Sequence, residues 1–465
     1  MPRPPLVYRV LRGAVRGTVG VFFREIVVEG EANVPPGRGG LLVAWHPNGI
    51  VDPALILSAF PGHVVFGARH GLLQWPVAGA IMRALGTVPI YRPQDGDGDP
   101  DARRAANDRS LGALADAVAS GRFAALFPEG VSHDEPRLQE IRSGAARLFL
   151  RAQGAADPVI VPVGLHYDRK DLFRSDVVVA FHPPIDTAQL DPADPAADLT
   201  RRIEASLVEA VRPTDDWQTH RLMHRAYALM RAEDAVREGV RDRADAGDRV
   251  RGAGWVWRGY QARRDTHPEE VAALRRDVAA YDRLLRAAGL GDADLDRAPR
   301  LNPALGVLFG IQLALLAVLL PPILVLGMAV NGPPFLLLNA VARRLASAQK
   351  DTATIKILGG LVLYPLAWTL AAVAAGLGAA RLHALFPGLP DAPLAAALVA
   401  FLLSAVGGAL ALRWGELTRD AGHAIRIRLF RQRRRDVLAR LQLQRTDLYE
   451  RFMALREGIE RPEIA

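Results

Sequence analysis

The chain has 465 residues, half of them hydrophobic, a formal net charge of +8 and no cysteine. That length allows two or three domains, and the lack of cysteine excludes disulfides and thiolate chemistry. The basic balance is carried by arginine, with lysine only at Lys170, Lys350 and Lys356, and suits either nucleic acid or an anionic membrane as partner.

Residues 1–24 form the first segment. Arg9, Arg12 and Arg16 share one helical face, and Val7, Leu11, Ala14 and Val15 lie largely opposite. The pattern fits a helix lying on an anionic bilayer surface or an ordinary amphipathic packing helix. The same arginines interrupt any apolar core of a cleavable signal peptide.

Residues 25–188 alternate short β-rich runs with helical periodicity. The runs are Glu25–Val28, Leu41–Trp45, Val64–Gly67, Val88–Tyr91, Ala124–Phe127, Val159–Val163 and Val177–Phe181. A helix over Ala105–Ser120, with Leu111, Leu114 and Val118 on one face, is expected to stop at Gly121. This is the signature of an α/β unit: a central, mostly β-sheet core flanked by helices, with functional loops at the strand ends.

Four stretches of this unit carry chemistry. Trp45-His46-Pro47-Asn48-Gly49-Ile50-Val51-Asp52-Pro53 follows an apolar strand; Asp52 reads as a helix N-cap with Pro at N1, and its carboxylate is also placed to orient the His46 ring. Gly86–Arg92 is a strand ending in an arginine able to clamp a phosphate with two parallel hydrogen bonds. Leu126–Ser132 runs from strand to loop and offers Glu129, Gly130 and the Ser132 hydroxyl; Arg142-Ser143-Gly144-Ala145 then opens a helix, a favourable place for an anion. Val161-Pro162-Val163 is an apolar strand. His133 and Asp134 read as solvated loop residues, and no metal-ligand cluster stands out.

Residues 189–300 turn charged and helical. Thr266-His-Pro-Glu269 resembles a capping box, followed by a helix with Leu274, Val278, Tyr281 and Leu285 on one face. Residues 301–412 are a bilayer-type sequence with candidate spans at Leu305–Val330, Ile357–Ala380 and Ala392–Leu412. Basic clusters at Arg343, Arg344 and Lys350 and from Arg413 to Arg445 favour an even number of crossings. Turns at Pro321-Pro322 and Asn331-Gly-Pro-Pro334 would break the first segment and give two helical hairpins. Residues 413–465 then form a basic helical tail in the cytoplasm.

In this order, the four stretches resemble the glycerolipid acyltransferase superfamily of lysophosphatidate and glycerol-3-phosphate acyltransferases. Phe127-Pro-Glu-Gly-Val-Ser132 is similar to its third block, His46 with Asp52 to its catalytic block, Gly86–Arg92 to its second and Val161–Val163 to its fourth. The chain departs from the family in having five residues between His and Asp instead of four, Trp45 where Asn is common and Arg142 where Lys is common.

The resemblance implies an α/β acyltransferase domain over 25–188, followed by a helical region and a C-terminal helical transmembrane domain. It implies His46 as general base and Asp52 as its partner. Arg92, Glu129, Gly130, Ser132 and Arg142 would bind the acceptor, although Glu129 could equally order its loop. The partners implied are membrane lipid, an acyl thioester donor (acyl-CoA or acyl-carrier protein) and a glycerophosphate acceptor, with no cofactor, metal or nucleic acid. The expected place is the cell membrane, multi-pass, with the catalytic domain on the cytoplasmic face. The apolar segments after the domain look similar to those of larger glycerol-3-phosphate-type enzymes, a resemblance that favours glycerol 3-phosphate over lysophosphatidate as acceptor. The competing readings are an inactive membrane scaffold or lipid-binding protein, and an esterase using Ser132, for which no Gly-x-Ser-x-Gly elbow is present.

Overall fold

A computed structural model describes residues 4–91, 99–240, 242, 245–296 and 321–455. The apolar runs form β1 (Glu25–Glu29), β2 (Gly40–Ala44), β3 (Val64–Arg69), β4 (Val88–Ile90), β5 (Phe123–Leu126), β6 (Val159–Tyr167) and β7 (Asp176–Phe181). They pair as one sheet in the order β1-β7-β6-β2-β5-β3-β4; β6 and β7 are antiparallel and every other neighbouring pair is parallel. β2 and β7 are buried along their whole length, which is why they read as unbroken hydrophobic runs.

Both faces of the sheet are covered. Leu42 and Ala44 pack with α1 (Leu6–Phe22) and α2 (Val51–Ala59), while Leu41 and Val43 pack with α5 (Pro100–Ala119), α6 (Gly144–Gln153) and α7 (Pro195–Val211). α7 lies in the charged stretch that begins at residue 189, beyond the expected 25–188 unit. Its Leu199, Ile203 and Leu207 are buried against the sheet, so the α/β unit takes in chain beyond residue 188.

α1 divides its apolar residues between two faces. Tyr8, Val19 and Phe22 are buried, with Leu11 and Val15 packed beside them, and the Tyr8 hydroxyl bonds both backbone groups of Val64. Leu6, Val7, Val10 and Val21 point outward. Between β3 and β4 run the short α3 (His70–Leu73) and α4 (Pro76–Ala84).

α8 (Trp217–Arg237), α9 (Ala246–Arg263), α10 (Pro268–Ala288) and α14 (Arg435–Leu455) share a second core that includes Met230, Trp255, Tyr281 and Leu448. α10 buries Leu274, Val278, Tyr281 and Leu285 as expected. Its N-cap is His267, whose side chain makes no capping bond; the Thr266 hydroxyl instead bonds back to Ala262 O, so the capping box does not form. Arg445, 1% exposed, ties α14 to Glu233 of α8 and to Asp296.

Where this helical extension meets the sheet, His166, His182, His220 and His224 gather around Arg212. Burial, reinforced by Arg212, holds His182 and His220 down to about 4 and pushes His166 well below its ordinary value. Burial, then His220 and Arg212, lowers His224 to about 3.

Among the described residues, three helices contain stretches long and apolar enough to cross a membrane: α11 (Pro321–Leu345), α12 (Gln349–Leu385) and α13 (Pro393–Arg433). The expected span Ile357–Ala380 lies inside α12, and Ala392–Leu412 lies in α13 apart from Ala392, its N-cap. Residues 301–320 of the first expected span lie outside the described residues. The turn expected at Asn331-Gly-Pro-Pro334 is absent, because α11 runs straight through it. Asn331 accounts for this: its Nδ2 donates to Gly327 O (2.8 Å) and Ser404 O (2.9 Å), and its Oδ1 accepts from Trp368 Nε1 (2.9 Å). Neighbouring helices thus use the polar side chain that in isolation signals a loop.

The bundle docks on the α/β unit. Ala353 of α12 is fully buried in the same core as Trp45 and Leu55, and Arg174 pairs with Glu416 of α13 (2.5 Å). The start of α12 and the end of the apolar part of α13 therefore face the α/β unit together.

Candidate active site

Parallel pairing of β2 with β5 sets Val43 opposite Leu126. Three residues on, each strand has become a loop, and His46 and Glu129 emerge side by side at the C-terminal edge of the sheet. This is where open α/β sheets place their ligand crevices. The backbone N–H of His46 donates to Glu129 Oε2 (3.0 Å), and His133 N–H donates to His46 O (3.1 Å). The His46 ring stacks on Phe127, with centroids 4.0 Å apart.

His46 Nδ1 lies 2.8 Å from Asp52 Oδ2. Asp52 is fully buried. It sits one residue inside α2, whose N-cap is Ile50, and so is not the cap expected from Asp-Pro. Its Oδ2 also accepts from Asn48 N–H (2.7 Å) and its Oδ1 from the Tyr167 hydroxyl. The loop from Pro47 to Val51 folds back to make these contacts, which is how five intervening residues still bring the carboxylate onto the ring; Gly49, at φ +50°, supplies the left-handed step. A carboxylate has only lone pairs to offer, so the proton between the two side chains sits on Nδ1. Nε2 has no protein partner among the described residues and keeps its lone pair for chemistry. Burial and the adjacent Asp52 push the Tyr167 phenol well above its ordinary value, so it stays a donor to that carboxylate.

Glu129 is 1% exposed. Besides the His46 amide it takes the Gln139 amide (2.8 Å) and His133 Nε2 (2.8 Å), both on Oε1. Both oxygens are therefore engaged by the protein's own donors. His133 and Asp134 are not the solvated residues the sequence suggested. His133 is 9% exposed, and Asp134 pairs with the buried Lys170 (2.5 Å), whose ammonium also donates to Pro47 O (2.9 Å).

Gly130 takes the left-handed step of this loop (φ +71°), and the Arg142 side chain lies against it: a Cβ there would be in ordinary contact, 3.5 Å from the arginine's Cδ and Nε. Arg142 N–H donates to Pro128 O (3.0 Å), which brings the exposed guanidinium back over the loop. Ser132 is half-buried, and its hydroxyl bonds to no histidine among the described residues. Arg92 lies outside the described residues.

Tyr167, Asn48, His133 and Lys170 join these contacts and were not assigned a role in the site from sequence. Tyr167 could have been found from strand length: β6 pairs Val163 with Ala44 at the end of β2 and continues to Tyr167. A tyrosine on that overhang stands beside the first loop.

Residues 25–166 match the family described as Acyltransferase, and residues 256–460 match the Glycerol-3-phosphate acyltransferase 2 C-terminal domain. Two proteins of Saccharomyces cerevisiae are similar. Glycerol-3-phosphate O-acyltransferase 2 is 34% identical over 115 residues, covering 22% of this chain and 15% of the yeast protein. Glycerol-3-phosphate O-acyltransferase 1 is 26% identical over 248 residues, covering 50% of this chain and 31% of the yeast protein. The matches thus span less than a third of either yeast protein's length. Among solved structures, the 1-acyl-sn-glycerophosphate (LPA) acyltransferase PlsC from Thermotoga maritima aligns with a TM-score of 0.34 and 19% identity, covering 44% of this chain and 78% of that one.

Proposed function

From the premise that the chain belongs to the glycerolipid acyltransferase superfamily, we propose that it moves a fatty acyl group from a thioester carrier to a hydroxyl of glycerol 3-phosphate. The observation that carries this reading is the His46–Asp52 pair, with Nδ1 fixed by a buried carboxylate and Nε2 unoccupied. Nε2 takes the proton of the acceptor hydroxyl as its oxygen attacks the thioester carbonyl. The tetrahedral intermediate collapses with cleavage of the C–S bond, and the proton passes from the imidazolium to the departing thiolate. Asp52 keeps the ring in one tautomer and stabilises the imidazolium while it lasts.

Arg142, together with Arg92, clamps the acceptor phosphate. Glu129 holds the loop that presents Arg142 and the His46 backbone. α11, α12 and α13 cross the membrane with the site on the cytoplasmic side, and the outward face of α1 rests on the bilayer. Glycerol 3-phosphate is preferred to lysophosphatidate because both yeast relatives carry that acceptor in their names.

The test is purified full-length protein given labelled acyl-CoA or acyl-carrier protein with glycerol 3-phosphate, lysophosphatidate or an unphosphorylated glycerol. Transfer to a phosphate-bearing acceptor, lost in His46→Ala, supports the reading. Hydrolysis of an ester lost in Ser132→Ala but kept in His46→Ala would overturn it.

A further inference from the structure

The chain has 58 basic residues, of which Lys170, Lys350 and Lys356 are the lysines. Lys170 and Lys350 lie against the loops around His46 and Lys356 against the β6–β7 connection; each donates to a backbone carbonyl, and Lys170 pairs with Asp134 besides. Lys170 donates to Pro47 O (2.9 Å), Lys350 to Ser132 O (2.5 Å) and Lys356 to Asp171 O (3.0 Å). A compact ammonium on a slender stem can reach one carbonyl in a crowded place where a planar guanidinium needs more room. Pro47 belongs to the loop carrying His46, and Ser132 to the loop carrying Glu129 and Gly130. Lys350 and Lys356 belong to α12, a helix of the apolar bundle.

The first turns of α12 sit directly on the site. A Cβ on Gly49 would lie 3.1 Å from Thr354 Oγ1 and 3.4 Å from Lys350 O, and Ala353 is fully buried between them. Lys350 is half-buried and forms no ion pair among the described residues. We infer that Lys350 is a positioning residue for acyl transfer: by holding the Ser132 carbonyl, the bundle sets the loop of Glu129 and Gly130 against His46, and the site is in working order only with α12 docked. The inference rests on the proposed transfer reaction for its kinetic arm alone.

The experiment compares Lys350→Met, which keeps the stem and removes the donor, with Lys350→Arg and Lys356→Met in the full chain in detergent. Lys356→Met is the docking control, since its partner Asp171 belongs to the β6–β7 connection and not to the loop of Glu129 and Gly130. Hydrogen exchange is followed at residues 129–133, where the His133 amide bonds His46 O. Lys350→Met should speed exchange there about tenfold and lower kcat/KM for the acceptor by a similar factor, through acceptor KM with donor KM unchanged. Lys350→Arg, which keeps a cationic donor but needs more room for its planar head, should recover only part of the loss in both readouts. Equal behaviour of Lys350→Met and Lys356→Met would overturn the assignment. Absence of transfer in the unaltered chain would sink the reaction, while the exchange comparison would still decide whether Lys350 holds the loop.

Discussion

Glu129→Gln separates a loop-ordering carboxylate from one that binds the acceptor. The substitution keeps size and shape, removes the charge and turns one acceptor oxygen into an NH2 group. The carboxylate accepts from three groups, the amides of His46 and Gln139 and the His133 ring, at 3.0, 2.8 and 2.8 Å. In its better orientation the new amide keeps its oxygen toward Gln139 and His133 and turns NH2 toward the His46 N–H. Two buried donor groups, the His46 N–H and the new NH2, are then unpaired, costing about 1–3 kcal/mol each, and two charge-assisted bonds become neutral ones, costing about 0.5–1 kcal/mol each. The sum is about 5 kcal/mol, a fall in Tm of about 10–20 °C for a unit of this size. Unfolding of the full chain can be followed by tryptophan fluorescence, because the Trp45 ring lies 6.3 Å from that of His133. We expect the melting shift with loss of kcat. A Tm within about 1 °C of the parent, with only the acceptor KM raised, would refute the loop-ordering role and place the carboxylate on the substrate.

Asp52→Asn should lower kcat by about 100-fold or more, because the imidazolium loses its buried counter-charge; a change under about threefold in steady-state rate would contradict the pair. Tyr167→Phe removes one donor to Asp52 Oδ1 and should cost about tenfold in kcat with both KM values unchanged. The histidines around Arg212 predict acid sensitivity. Their folded-state values are depressed, so below about pH 6.5 the unfolded chain takes up protons that the folded chain refuses. Stability is complete above that pH and is lost as pH falls toward about 4, by about 2 kcal/mol per histidine between about pH 7 and 5. A Tm that is flat over that interval in the full chain would contradict the cluster. Asn331→Leu leaves the Trp368 indole N–H without its partner and should lower the bundle's thermal stability in detergent; an unchanged melt would show the polar knot to be idle.

The sheet was legible because each of its strands is a compact apolar run whose burial is a local property. The His46–Asp52 and Phe127–Ser132 stretches were legible for the same reason, each lying within a few residues. What sequence did not disclose depends on distant chain. Tyr167 reaches Asp52 across 115 positions, and Lys350 reaches Ser132 across 218. His133 looked solvated because its neighbours are polar; it is buried because Glu129 folds over it. Asn331-Gly-Pro-Pro334 carries every local sign of a turn and was overridden by hydrogen bonds from two other helices. Asp52 looked like a cap because Asp-Pro usually is one; the demands of Asn48 and His46 drew its carboxylate away from the helix end.

α13 runs unbroken for 41 residues, about 60 Å at 1.5 Å per residue, roughly twice the hydrocarbon thickness of a bilayer. Its far end is no loose tail: Ile427 and Phe430 lie in the core of the helical extension, and Arg431 donates to the carbonyls of Asp294 and Leu295. With α13 in the membrane as proposed, one rod is shared between the hydrocarbon and a water-facing helical body. Helical rise then fixes that body's height above the lipid, and it cannot approach or leave the surface without dragging the proposed span along its own axis.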